Sequence, residues 1–290
     1  MKRVAAVPFP LPLEMPELPE VETIVRQLAP ALPGHTILKV GIRRSDVLEK
    51  SAVTFRRALR GREILEVGRR GKNIVISLSG PVVLVVNLGM TGRLLFFPGP
   101  KPSPLPPHLA VQLQLQPASS LFYADVRRFG LLRTFSPEEW VRESARLGPE
   151  PMDSSLTWQI LSQALRVSRS PIRSWLLDQR KIAGIGNIYA AEALFLSGIH
   201  PKRPASSLSP SESKALLSSV RVVLKAAIRA KGTTLRDYRT ASGEKGAFVE
   251  SLRVYGRDGK ACLSCKAPVE RIVFGNRSAF FCPHCQPESS

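Results

Sequence analysis

Residues 15–28, MPELPEVETIVRQL, combine a helix start with a strongly patterned helix. Pro19 suits a first helical turn, where the missing N–H of proline costs nothing. Glu20 and Glu22 complement the positive end of the helix dipole. One apolar stripe follows at positions i, i+3, i+4 and i+7, formed by Val21, Ile24, Val25 and Leu28. The stretch therefore predicts a core-facing helix that ends at the prolines and glycine of residues 30–34.

Beyond this helix the composition changes twice. Residues 36–134 hold short segments rich in Val, Ile, Leu and Phe, separated by Gly and Pro turns and by a proline-rich loop at 98–107. Such a pattern is typical of a β-sandwich or a barrel. Residues 136–240 show helical periods instead, and a small cysteine-bearing module follows at 250–287. We expect an α+β protein with a β-rich domain at 16–135 that includes the leading helix, a helical domain at 136–240 and this module.

The charge of the chain indicates a polyanionic partner. Lys and Arg total 42 against 23 Asp and Glu, which gives a net charge of +19 and a pI near 10.5. The basic residues are spread along the chain, so they favour a charged groove on a folded surface that binds nucleic acid. A basic enzyme with another kind of partner remains the alternative. No apolar run approaches the roughly 20 residues of a membrane helix.

All four cysteines lie near the end of the chain, as CLSC and CPHC. Their spacing is C-x2-C-x16-C-x2-C, with ligands Cys262, Cys265, Cys282 and Cys285. This is the pattern of a four-thiolate zinc site, in which each pair clasps one side of a tetrahedron. Four thiolates leave no open position, so one structural Zn²⁺ per chain is predicted. Disulfides are the alternative, which a cytoplasmic location disfavours. His284 lies between two ligands and is interpreted as a bystander.

The first residues have the features of an extension. MKRVAAVPFPLPLE faintly resembles a signal peptide, but three prolines break its apolar part and no small-residue cleavage site follows. Met15 followed by Pro16 is typical of a translation start. We therefore expect that the mature protein lacks residues 1–15, that Pro16 carries the free amine, and that the protein is cytoplasmic.

Several motifs occur in a fixed order along the chain. GIGNIYAAEALF at 184–195 predicts a tight turn before a helix start that can hold a phosphate, although such a turn can also merely join two helices. The others include MPELPEVE at 15–22, NLGMTGRL at 87–94, DVRRFG at 125–130 and LGPEP at 147–151. With the cysteine tail, this series resembles bacterial formamidopyrimidine-DNA glycosylases from Met15 to about Gln286. The resemblance implies a β-sandwich, a helix–two-turn–helix domain and a zinc finger, in a monomer that binds damaged double-stranded DNA between its domains.

The resemblance also implies a reaction. The family removes oxidised purines, 8-oxoguanine and formamidopyrimidines, and then cuts the strand as an AP lyase. Pro16 matches the nucleophile, which attacks C1′ of the damaged nucleoside, and Glu17 matches the acid. Lys72 matches a lysine near the reacting phosphates, and Arg277 matches the zinc-finger arginine that holds them and donates a proton in the later elimination. A helix-start proline, a helix-terminal carboxylate and a solvated turn lysine are the ordinary structural alternatives.

Further residues match the family's DNA contacts. Met90, Arg127 and Phe129 match the trio that fills the gap left by a flipped base, with Arg127 pairing to the estranged cytosine. A core methionine, a surface arginine and a core phenylalanine are the alternatives. Matching positions for phosphate contacts are His108, Arg128, Arg169 and Asn187. The loop around residues 239–248 is expected to close over the flipped base.

Three positions depart from the family pattern. Arg173 stands where relatives often have lysine, Val126 replaces a frequent proline, and no second histidine follows His108. Two other functions remain open. One is an oxidised-pyrimidine glycosylase of the endonuclease VIII type. The other is a non-catalytic zinc protein that binds DNA, which would follow if the N-terminal extension is retained.

Overall fold

The structure is a computed structural model, and it describes residues 15–274 and 277–288. Residues 1–14 of the extension expected before Pro16 lie outside the described residues. The helices are α1 (Leu18–Leu28), α2 (Ala52–Leu59), α3 (Pro137–Ser144), α4 (Trp158–Arg166), α5 (Ile172–Leu177), α6 (Asn187–Leu196) and α7 (Pro210–Arg229). The strands are β1 (Thr36–Ile42), β2 (Ile64–Arg70), β3 (Asn73–Leu78), β4 (Val82–Asn87), β5 (Gly92–Pro98), β6 (Leu109–Gln116), β7 (Ser119–Asp125), β8 (Leu131–Phe135), β9 (Glu270–Phe274) and β10 (Arg277–Phe281).

The N-terminal half is a sandwich rather than a closed barrel. Its two antiparallel sheets have the strand orders β1-β6-β7-β5 and β2-β3-β4-β8. Side chains such as Ile37, Ile76 and Leu84 are fully buried between them. The proline-rich loop at 98–107 joins β5 to β6, as predicted. The predicted α+β class is thus confirmed, and the choice between sandwich and barrel is resolved by the open order of both sheets.

Helix α1 joins two hydrophobic cores. The predicted stripe packs into the core of the sandwich, as residues Val21, Ile24, Val25 and Leu28. Leu18, one residue after the N-cap, packs instead into the core of the helical half. Conversely, Tyr238 and Ala241, which follow α7 in the chain, pack into the sandwich core. The two halves therefore exchange side chains at the base of the cleft between them.

The C-terminal module packs on the helical half and shares its core. Helix α7 buries one apolar face, with Leu216, Val220 and Leu224 at its centre. Two of the cysteine ligands, Cys262 and Cys282, belong to the same cluster. Strands β9 and β10 form an antiparallel hairpin. No helix in the described ranges is long and apolar enough to span a bilayer.

One helix is absent from the sequence-based prediction. Helix α2 interrupts the segment that the sequence assigns to strands, and the Ser51 hydroxyl caps it by accepting the Thr54 N–H at 3.2 Å. Only Phe55 and Leu59 of this helix are buried. Two apolar residues at i and i+4 are too few to separate a short helix from a strand.

Candidate active site and nucleic-acid interface

The N-termini of α1 and α6 meet at a buried carboxylate. Glu17 is the N-cap of α1, and only 3% of its surface is exposed. Its carboxylate accepts the backbone N–H groups of Gly186 at 2.7 Å, Ile188 at 3.0 Å and Tyr189 at 3.5 Å. These donors form the first turn of α6, where N–H groups have no partner inside the helix and the dipole favours negative charge. The turn before α6 thus binds a carboxylate of this chain.

The glycine at position 186 is required by this approach. Gly186 has an extended backbone, with φ −130° and ψ −159°, that any residue can adopt. A Cβ atom there would lie 2.3 Å from Cδ of Glu17 and 2.4 Å from its Oε1. Such distances are far inside van der Waals contact, so only glycine lets the carboxylate reach the helix end. This contact gives the GIG motif a more specific role than joining two helices.

The environment of Glu17 favours its protonated form. Burial raises the pKa of the Glu17 carboxyl, and the charge of Lys72 and the three backbone N–H groups lower it by less. A carboxyl group with a raised pKa can keep a proton at a pH where an exposed glutamate has lost it. This is the property that a general acid requires.

A second buried carboxylate fixes the backbone beside Pro16. Glu20 accepts the N–H of Glu17 at 2.8 Å, the N–H of Thr233 at 2.7 Å and the hydroxyl of Tyr189. Burial, and then the charge of Glu17, raises the pKa of Glu20 to about 7. Because the Glu17 N–H belongs to the peptide that follows Pro16, Glu20 sets the direction of the proline ring. Pro16 itself is buried.

One cation, Lys72, faces this carboxyl pair, and a second, Arg277, lies near Lys72. Lys72 lies in the turn between β2 and β3, and burial lowers its pKa, while the charge of Glu17 raises it and that of Arg277 lowers it further. Arg277 is exposed and opens β10 opposite Phe274. Residues 72 and 277 come from opposite ends of the chain, and the fold brings Lys72 within electrostatic range of both the predicted acid Glu17 and Arg277.

The turn that carries Lys72 is fixed by a residue that the sequence analysis missed. Glu150 accepts Nη1 of Arg69 at 2.7 Å, Nη1 of Arg70 at 3.1 Å and the N–H of Gly71 at 2.7 Å. A carboxylate that binds two guanidinium groups and a backbone N–H holds the tip rigidly. Its partners lie about 80 residues away, so only its place in the LGPEP motif could have signalled this role.

Asn187 is engaged by the C-terminal hairpin. Its Nδ2 donates to the carbonyl of Ser278 at 3.1 Å, and its Oδ1 accepts Nη2 of Arg173 at 2.7 Å. The same Nη2 donates to the Ser278 carbonyl at 3.0 Å. Arg173 is 3% exposed, and burial, followed by the charge of Arg277, lowers its pKa to about 10. The arginine that replaces the family's lysine therefore bridges α6 to the hairpin.

The predicted intercalating residues form one cluster. The guanidinium carbon of Arg127 lies 4.7 Å from the ring centre of Phe129, and its Nη1 lies 3.6 Å from Sδ of Met90. Phe129 is 58% exposed, which excludes a core role for it. Gly89 has φ +58°, and a Cβ there would lie 2.5 Å from the backbone of Phe129. Glycine thus lets the Met90 turn pack against the Phe129 turn.

The remaining predicted phosphate contacts lie in two places. His108 and Arg128 line one cavity at the edge of the first sheet. Arg169 is exposed in the loop between α4 and α5. Within the loop around 239–248, the N–H of Thr240 donates to the carbonyl of Glu244 at 3.0 Å.

The four cysteine sulfurs fit a tetrahedral zinc site. Their Sγ atoms all lie within 4.8 Å of one another, and the pairs Cys265–Cys282 and Cys262–Cys285 are 3.4 and 3.9 Å apart. Zn–S bonds of about 2.3 Å place tetrahedral sulfurs about 3.8 Å apart, so one Zn²⁺ fits. His284 is exposed and is not part of this cluster.

Two polar residues that the sequence analysis missed attach this module to the helical half. Gln286 is fully buried; it accepts the Cys282 N–H at 3.0 Å and donates to the Ile199 carbonyl at 2.8 Å. Glu192 of α6 accepts three consecutive backbone N–H groups of residues 253–255 at 2.9 to 3.0 Å. The hairpin that carries Arg277 is therefore held by side chains as well as by zinc.

Comparison with known proteins agrees with this geometry. Sequence models of the formamidopyrimidine-DNA glycosylase N-terminal domain, its H2TH domain and the zinc finger found in FPG and IleRS match residues 15–132, 147–239 and 259–287. Formamidopyrimidine-DNA glycosylases of Heliobacterium modesticaldum and Gluconobacter oxydans are each 43% identical, over 94% of this chain and 100% of the relative.

Solved structures show the same likeness. The Lactococcus lactis Fpg in complex with DNA that contains an abasic site is 30% identical, with a TM-score of 0.87 over 94% of this chain and all of that one. The same Fpg in complex with DNA that contains Fapy-dG has a TM-score of 0.86 at 30% identity, over 94% of this chain and all of that one. The MutM (FPG) protein from Thermus thermophilus is 40% identical, with a TM-score of 0.83 over 95% of this chain and all of that one.

Proposed function

The chain belongs to the formamidopyrimidine-DNA glycosylase family, and from this premise we propose how its own residues excise an oxidised purine and cut the strand. It is a bifunctional DNA glycosylase and AP lyase that removes oxidised purines such as formamidopyrimidines. The observation that carries the proposal is the buried Glu17 carboxylate next to Pro16, held by the start of α6 and faced by Lys72, which in turn lies within electrostatic range of Arg277.

In the first step the secondary amine of Pro16 attacks C1′ of the damaged nucleoside. A C–N bond forms, the bond from C1′ to the base breaks, and the base leaves with the amine proton. As the base leaves, Glu17 donates its proton to the sugar ring oxygen, the ring opens, and a cationic iminium joins Pro16 to C1′, so base release and ring opening depend on the same acid. The raised pKa of Glu17 keeps that proton available.

In the second step the iminium withdraws electrons from the C2′–H bond. Loss of this proton allows the C3′–O bond to break, and the 3′ phosphate leaves, which cuts the strand. Lys72 and Arg277 bind the phosphates that flank the lesion and stabilise the charge that develops on them. The electrostatic proximity of Lys72 and Arg277 supports this assignment. Arg277 also supplies a proton in the later elimination. Hydrolysis of the remaining imine releases Pro16.

The base must leave the stack before this chemistry begins. We propose that Met90 and Phe129 fill the gap and that Arg127 hydrogen-bonds the estranged cytosine. His108, Arg128, Arg169 and Asn187 bind backbone phosphates of the damaged duplex. The loop around 239–248 covers the flipped base. The bound Zn²⁺ has no chemical step; it keeps the hairpin of Arg277 rigid.

The mechanism requires Pro16 to be the first residue, because an amide nitrogen has no usable lone pair. We propose that translation begins at Met15, or that processing exposes Pro16. In support, the N-terminal family match begins at residue 15, and 94% of this chain spans the whole of each curated relative quoted above. We further propose domains at 16–135, 136–240 and 250–287, and a monomer that acts in the bacterial cytoplasm.

Borohydride trapping tests the proposal. Protein whose first residue is verified as Pro16 is incubated with a duplex that carries 8-oxoguanine opposite cytosine, and the iminium is reduced to a stable amine. We expect a covalent protein–DNA adduct on the peptide that begins with Pro16. The same protein with residues 1–15 verified as intact is the control, and it should form none. No adduct with a verified free Pro16 would contradict the proposal.

A further inference from the structure

A basic cavity lies at the edge of the first sheet, next to the intercalating cluster. Its volume is about 880 Å³, and Arg43, Arg44, His108 and Arg128 line it together with apolar side chains such as Pro106. Only His108 and Arg128 match phosphate contacts of the family pattern. The resemblance gives no role to the two neighbouring arginines, although they are two of the four basic side chains of the wall.

The topology holds these donors at three strand ends. Arg43 and Arg44 follow β1, and their N–H groups both donate to the carbonyl of Ala110, at 2.8 and 3.2 Å. His108 precedes β6, and its carbonyl accepts the N–H of Asp125, the last residue of β7, at 3.0 Å. The backbone that carries Arg43, Arg44 and His108 is therefore hydrogen-bonded to the strands of the sheet.

Two residues of the wall have left-handed backbone conformations. His108 has φ 56° and Arg128 has φ 59°, and the described ranges contain only two other non-glycine residues with positive φ. Side chains with a Cβ rarely adopt this conformation, and such residues often mark ligand-binding sites. Both side chains are exposed, so packing of a core does not account for their conformation.

Two carboxylates near this cavity, Asp125 and Asp46, differ in how easily a ligand can replace the carboxylate at its hydrogen-bond partner. Asp125 is 3% exposed, and it accepts the Tyr123 hydroxyl at 3.0 Å and the Gly130 N–H at 2.9 Å. Its charge is thus bound inside the sheet. The carboxylate of Asp46 instead accepts Nη1 of Arg128 at 2.7 Å, with about half of each side chain exposed. An exposed ion pair of this kind is weak and easily replaced.

We propose that Arg43 and Arg44 extend the phosphate contacts of His108 and Arg128 to a further DNA backbone phosphodiester in this cavity, and that Asp46 occupies Arg128 until DNA displaces it. The subsite rests on the proposed function, since it needs DNA in the cleft. A phosphodiester brings the acceptor oxygens that guanidinium groups bind in pairs. Asp46 then acts as an internal competitor that lowers the affinity of Arg128 for the phosphate.

The test is the salt dependence of DNA binding. Affinity of the protein starting at Pro16 is measured, at several salt concentrations, for a duplex with an uncleavable abasic-site analogue. The variant R43A/R44A is compared with R56A/R57A, because Arg56 and Arg57 form another exposed neighbouring pair on α2 of the same domain. Both variants lose the same charge, so a general effect of net charge changes them equally.

We expect the slope of log affinity against log salt to become less steep by about 0.9 for each phosphate that R43A/R44A no longer binds, and to stay unchanged in R56A/R57A. D46N should bind the duplex about 1.5- to 5-fold more tightly, as the removal of an exposed ion pair allows. Equal slopes for both double variants, or unchanged affinity for D46N, would overturn the subsite.

A second arm separates DNA from free phosphate. Inorganic phosphate is titrated while the ring protons of His108 are followed by NMR, in wild type and R43A/R44A. Loss of a phosphate-dependent shift in the variant, with an unchanged DNA slope, would assign the cavity to free phosphate and overturn the DNA assignment. Excision of 8-oxoguanine by wild type and by R56A/R57A is measured in parallel. Failure of wild type there contradicts the proposed function and leaves the slope comparison interpretable.

Discussion

Replacing Gly186 by alanine tests the contact on which the proposed acid catalysis depends. The backbone at this position is extended, so alanine introduces no conformational strain. The new methyl group would lie 2.3 Å from Cδ of Glu17, so the carboxylate must leave the start of α6. It would then lose backbone hydrogen bonds at 2.7 and 3.0 Å, each worth about 1.5–3 kcal/mol because the acceptor is charged.

The expected result is a loss of excision rate with the fold retained. A positioned general acid contributes about 10²–10⁴-fold, so we expect Gly186→Ala to lower the single-turnover excision rate of 8-oxoguanine by at least about 10². Gly68→Ala is the matched control, since a Cβ at Gly68 meets no atom within 4 Å. Thermal unfolding of both variants shows whether the loss arises at the site or from unfolding.

A double-mutant cycle makes the reasoning refutable. Glu17→Gln keeps the shape of the side chain and removes its proton. If Gly186→Ala acts only by moving this carboxylate, adding Glu17→Gln should lower the excision rate little further, because both substitutions remove the same acid function. An excision rate for Gly186→Ala within 2-fold of wild type, or fully additive losses in a folded double variant, would refute the assignment.

Three further outcomes are expected. The single-turnover excision rate should fall as pH rises through the pKa of Glu17, because the acid acts only when protonated. Since burial raises the pKa of Glu17, the rate should fall at higher pH than it would with an ordinary glutamate. A pH–rate profile of excision measures this. Zinc removal by a chelator should lower the melting temperature and weaken DNA binding, measured by calorimetry and titration, because the hairpin of Arg277 loses its clamp. Arg173→Lys should cost about 1–3 kcal/mol of unfolding free energy in denaturant titrations, because an ammonium group cannot reach Asn187 and Ser278 with the same geometry.

Local patterns of the sequence predict the parts of this fold that depend on neighbouring residues. The stripe of α1 is one such part, and the capping box that starts α3, where Ser136 and Glu139 each accept the other's N–H, is another. The cysteine spacing predicts the zinc cluster for the same reason. In each case the residues that interact lie within one helix or one short module.

The rest depends on pairs that are far apart in sequence. Glu150, Glu192 and Gln286 read as ordinary polar residues, and their partners lie about 60 to 90 positions away. The left-handed conformations of His108 and Arg128 also have no local signal, because neither is glycine or asparagine. The trio predicted to intercalate follows from the resemblance and not from spacing, since Met90 is separated from Phe129 by three strands.

The division of α1 between two cores has a mechanical consequence. Leu18 is packed in the core of one half of the protein, while Val21 and Ile24 are packed in the core of the other. Any rotation of the halves must therefore remove a buried side chain from its core. Such an arrangement resists a clamshell motion. We expect the two halves on either side of the cleft to keep their relative positions when DNA binds. The duplex, and not the enzyme, should then undergo most of the bending that exposes a lesion.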